Sequence, residues 1–79
     1  MTAEQRAQLA MSLRDNEVFQ EALDAIREAS IGALIAVSPD DKNTILKAQA
    51  EIAVVDELRA NLDGFVRSAE LARKRPSIA

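Results

Sequence analysis

Between residues 45 and 72 apolar side chains recur at alternating spacings of three and four, and no other feature of the chain restricts its fold so strongly. Ile45, Ile52, Arg59 and Val66 form one row of a heptad, and Ala48, Val55, Leu62 and Ala69 form the other. Leu58, Phe65 and Ala72 widen the stripe. On an ideal helical wheel the stripe drifts from about 170° near Ile45 to about 30° near Ala72, as a 3.5-residue repeat does. A helix with that drift packs along its neighbour with left-handed, coiled-coil-like geometry.

The start of this helix is expected at Ser38-Pro39-Asp40-Asp41. Serine is a good N-cap, proline suits the first helical position, and an acid three residues after the cap resembles a capping box. The helix is therefore placed over 39–72, stopped before Pro76, with a basic tail over 73–79. A second capping-box candidate, Thr2-Ala3-Glu4-Gln5, opens the chain. No glycine or proline follows it until Gly32, yet one unbroken helix would split its apolar face. Leu9 and Leu13 lie near 180–220° on the wheel, whereas Phe19, Leu23, Ile26, Ala33 and Val37 lie near 60–140° (about 100° per residue). Asp15-Asn16 sits at the phase change, and both residues favour caps and turns. Two helices are thus expected, over 3–14 and 17–37.

The short connection before the long helix makes the preceding one run antiparallel to it. The fold class is all-α: a coiled-coil-like helical hairpin carrying a short, bent-back N-terminal helix, oligomeric or partner-bound. Counting back from the turn, Phe19 should meet Leu58, Ile26 should lie near Ala50 and Ile52, and Ala29 near Ala48. Leu9, Met11 and Leu13 are left to cover Leu62, Phe65, Val66 and Ala69. Gly32, with Ala29, Ala33 and Ala36, should serve tight packing inside the hairpin or, alternatively, an oligomer contact.

Composition agrees. Fifteen alanines, two glycines, two prolines and two aromatics among 79 residues describe one small helical domain. A chain of this size commonly completes its stability by association. With neither cysteine nor histidine, nucleophilic triads and zinc sites built on imidazole or thiolate are excluded. There is no Glu-x-x-His pair for a di-iron bundle and no glycine-rich phosphate loop. A non-enzymatic protein without cofactor, metal or small-molecule substrate is expected. The N-terminus lacks a signal-peptide core, and the longest uncharged run, residues 29–39, is too short to span a membrane. The expectation is a soluble, cytoplasmic protein.

Three surface features invite a partner. Glu17, Glu21, Asp24 and Glu28 lie opposite the apolar stripe of their helix and form either a solvated face or a strip for a basic partner. Ile31 and Ile35 continue that row as apolar residues and, with Leu46, could make a contact patch at the hairpin tip. Arg73, Lys74 and Arg75 are the one basic cluster of a chain with net charge −3. They suit a helix C-terminus or, alternatively, a phosphate-binding tail.

The runs Asn16-Glu17-Val18-Phe19-Gln20-Glu21-Ala22-Leu23, Ser38-Pro39-Asp40-Asp41, Ile45-Leu46-Lys47-Ala48-Gln49-Ala50-Glu51 and Leu58-Arg59-Ala60-Asn61-Leu62 resemble short helical-hairpin proteins of tailed-bacteriophage morphogenesis regions. The resemblance covers roughly residues 13–66. It implies a virion or assembly component in a host cell, present in several copies, and carries over no functional residue. The expected function is structural: self-association, or docking on a larger structural protein through the tip. The alternatives are a genome-packaging accessory factor using the basic tail, and a small regulator that binds a host protein through Glu17 to Glu28.

Overall fold

A computed structural model describes residues 1–74. It contains α1 (Ala3–Arg14), α2 (Glu17–Ala36) and α3 (Lys42–Lys74), and no strand among the described residues. Arg75 and Pro76 lie outside the described residues.

Each start has a local cause. Thr2 caps α1 through a complete capping box: the Gln5 amide donates to Thr2 Oγ1 at 3.1 Å, and the Thr2 amide donates to Gln5 Oε1 at 2.9 Å. Asn16 caps α2, its Oδ1 accepting from the Phe19 amide at 2.9 Å. The break between them is closed by backbone and side chain alike. The Asn16 amide donates to the Leu13 carbonyl at 3.2 Å, and Gln20 Nε2 donates to the Arg14 carbonyl at 3.0 Å.

The start of α3 differs from expectation. Ser38 does not cap it and Pro39 is not its first residue. The Asp41 amide donates back to the Ser38 carbonyl at 3.0 Å, which closes a turn with Pro39 at its second position, where a fixed φ is favoured. Asp41 is the cap: Oδ1 accepts from the Thr44 amide at 3.1 Å and Oδ2 from the Thr44 hydroxyl at 2.7 Å. These bonds, the hydroxyl's first, hold the Asp41 carboxyl below its ordinary pKa. Its contribution to stability is therefore present above the ordinary carboxylate range and is lost as pH falls through the lowered value.

Starting α3 three residues late lengthens the loop and moves its register by about one turn against α2. Phe19 accordingly packs on a cluster of Ala10, Leu62 and Val66. Ile26 lies beside Ala50, Val54, Val55 and Leu58. The heptad itself is realised, with Ala48, Val55, Leu62, Val66 and Ala69 buried and Ile45 and Ile52 half-buried. α2 ends at Ala36, one residue early, and α3 continues to Lys74, two residues beyond its expected end.

The N-terminal helix is not bent back. Both α1 and α2 pack on α3 and scarcely on one another. α1 places Arg14 beside Asp63 (3.7 Å) and its Glu4–Ala7 end beside Arg73. α2 follows with Asp24 at Arg59, Arg27 at Asp56 and Ser30 at Glu51. The two short helices thus lie end to end, antiparallel to the long one, in a rod of 62 × 26 × 18 Å. The hairpin has one continuous arm and one broken arm. Ala7 and Ala10 of α1 and Leu23 and Ser30 of α2 all face α3. On an unbroken helix those two pairs would point about half a turn apart. The break re-phases the arm.

Candidate interaction surface

The seam between the two arms has two flanks of opposite chemistry. Along one flank the side chains pair across the seam. Arg59 occupies a heptad position and is half-buried, yet its guanidinium reaches Asp24 Oδ1 at 2.6 Å, Gln20 Oε1 at 3.2 Å and the Gln20 carbonyl at 3.4 Å. Arg27 Nε meets Asp56 Oδ1 at 3.1 Å, and Arg14 reaches Asp63. A long cation can sit at an interior position in this way because its stem packs while its head leaves sideways to polar partners.

The opposite flank is apolar and open. Leu23, Ile26, Ala50, Val54, Val55 and Leu58 line a groove of about 360 Å³, with Lys47 and Glu51 at its edge. Its rims are well exposed for their type: Ile26 by 47%, Val54 by 61% and Leu58 by 37%. Phe65 continues the line one turn beyond the Leu58–Leu62 level and carries the Arg6 guanidinium over its ring at 5.3 Å. Leu9 and Leu13 lie on the same side of α1 as Arg6 by helical position, and both are exposed. On α2 the exposed small residues Ala22 and Ala29 border this flank by helical position, while Ala25 and Gly32 turn outward toward the acidic face.

This placement corrects the expected role of Leu9, Met11 and Leu13. They were expected to cover α3, but Ala7 and Ala10 do so, buried against the distal part that includes Leu62 and Val66. Alanine lets the backbones approach closely, and the larger side chains are displaced to the sides. Gly32 is likewise not a close-packing position: a methyl group added there would meet nothing within 4 Å, and the same holds for Gly64.

The other sequence candidates disperse. Ile35 and Leu46 are both exposed, at 81% and 62%, but Ile31 is half-buried. By helical position Leu46 points directly away from the seam on α3 and Ile35 points outward on α2, so they do not join into one tip patch. Glu17, Glu21 and Glu28 are exposed on the outer face of α2, while Asp24 is drawn into the pair with Arg59. Arg73 and Lys74 form the last described turn of α3, and Arg73 lines a recess with Glu4, Ala7, Gln8 and Met11. Arg75 lies outside the described residues.

Ser30 was missed. It is the most buried polar residue, 2% exposed, and its hydroxyl donates to Glu51 Oε2 at 2.7 Å. A signal existed, since Ser30 falls in the middle of the α2 apolar stripe on the same wheel. Among the described residues there is no cluster of three or more acidic side chains able to hold a metal ion, and no helix long and apolar enough to cross a membrane. In comparisons with protein-family models, curated proteins and solved structures, nothing matches the chain.

Proposed function

We propose that this chain is a non-enzymatic interaction protein whose working surface is the apolar flank of the hairpin. The observation that carries the reading is the open groove bounded by Ile26, Val54 and Leu58, on a chain that buries few large side chains of its own. Among the described residues the buried hydrophobic side chains are Ala7, Ala10, Leu23, Ala48, Val55, Leu62, Val66 and Ala69, half of them alanine. Contiguous exposed apolar surface of this kind marks a contact site on a soluble domain. The setting we propose is an assembly such as a phage particle or its precursor, on the strength of the sequence resemblance. The contact surface, however, moves from the hairpin tip to its flank.

The test is a photo-reactive side chain placed in the living cell at Val54 and, separately, at Asp56 on the charged flank. Covalent adducts should form from position 54 and not from position 56. Equal labelling, or none at either position, would remove the flank from consideration.

A further inference from the structure

Resting on that interaction reading, we infer that the occupant of the apolar flank is a second copy of this chain, docked antiparallel to form a four-helix layer. The argument begins with surface. Compact monomers of 8.6 kDa expose about 4,700 Å² by the surface–mass relation. This chain exposes 6199 Å². The excess on this one chain, about 1,500 Å², exceeds the roughly 800 Å² that a standard interface removes from each partner. From Lys47 to Phe65 the flank runs roughly 27 Å along α3 and is about two helix diameters, roughly 20 Å, across. A hairpin laid flank to flank on its twin fits that footprint.

Charge bears on which face a second copy can use. A two-fold contact sets a patch against itself, so it must be self-complementary. The outer face of α2, with Glu17, Glu21 and Glu28, would set acid against acid. The apolar flank carries two bases and one acid: Lys47 and Glu51 at the groove edge and Arg6 over Phe65. The heptad gives the geometric reason. Its second row is spent on α1 and α2, while Leu58 and Phe65, on the adjacent helical row, are only partly covered within one chain. Helices with a stripe this wide are packed from two sides in bundles. Ala22 and Ala29 on α2 would let the second hairpin approach closely.

The experiment is sedimentation of the full chain from micromolar to hundreds of micromolar, beside Val54→Glu and Leu46→Glu. The wild-type chain should sediment at twice 8.6 kDa. Val54→Glu should weaken dimerisation by about 100-fold or more, and Leu46→Glu should leave it unchanged. Because the chain has no cysteine, a second measurement needs no destabilising change: Val54→Cys and Leu58→Cys should cross-link to dimers with a short bis-maleimide, and Leu46→Cys should not. A monomer throughout the series, or equal loss in both glutamate variants, would overturn the second copy as occupant. If the chain is monomeric and position 54 captures a protein of another mass in the cell, the dimer fails while the interaction reading stands. If position 54 captures nothing, both fail.

Discussion

The two flanks of the seam are built from the same pair of helices, yet one is closed on itself and the other is left open. On the charged flank three ion pairs cross the seam: Arg59 with Asp24, Arg27 with Asp56, Arg14 with Asp63. On the apolar flank Ile26, Val54 and Leu58 stand beside one another with their outer surfaces uncovered. Ion pairs reach sideways and are satisfied by one neighbour together with water. Apolar side chains gain only from removal from water, and two helices cannot surround them. A hairpin therefore completes its polar edge by itself and leaves its apolar edge for another molecule.

The sharpest way to break this contrast is to truncate two leucines one turn apart. Leu62→Ala removes a side chain buried in the cluster with Ala10, Val66 and Phe19, and should cost about 2–4 kcal/mol of stability in chemical denaturation. Leu58→Ala, on the open flank, should cost the isolated chain about 1 kcal/mol or less while weakening self-association. Equal losses of chain stability would mean that the flank belongs to the core.

A smaller effect, of opposite sign, is expected at Gly32. With open space where a methyl group would go, Gly32→Ala should stabilise α2 by about 0.5–1 kcal/mol, read as a rise in melting temperature of the dilute chain. Association should be unchanged in the same variant, because Gly32 points outward from the seam by helical position.

The smallest effect belongs to the charged flank. A double-mutant cycle on Asp24→Asn and Arg59→Met should give a coupling of about 0.5 kcal/mol, since Asp24 is largely exposed and solvent screens the pair. The coupling should shrink further in molar salt. A coupling of several kcal/mol would show that the charged flank, not the apolar one, governs the hairpin.

Much of the fold is legible in the residues. The Thr2–Gln5 capping box, the break at Asp15-Asn16 and the heptad of α3 all follow from short-range rules, and each is realised. Capping is a matter of one side chain and an amide three residues away, so sequence order suffices. The turn was less legible. Ser38 and Asp41 are both competent caps, and Thr44, whose amide and hydroxyl both bond to Asp41, decides between them. That decision shifts the register of the two arms by a turn, which brings Phe19 onto the cluster with Leu62 and Val66. The candidate site was the least legible part. Ile31, Ile35 and Leu46 are prominent on a wheel, but a wheel describes one helix alone. The groove consists of Leu23 and Ile26 from one arm with Ala50, Val54, Val55 and Leu58 from the other.

By itself, then, the sequence determined what is local: three helices, where the first arm breaks, and which stripe of α3 is buried. Periodicity and capping depend on neighbours within a turn or two along the chain. Only the tertiary structure decided that α1 continues the line of α2, that Ala7 and Ala10 rather than Leu9 and Leu13 meet α3, and that one flank remains open. Those outcomes depend on how closely two helices approach and in which register. That choice is settled by the summed packing of side chains far apart in the chain, not by any one of them.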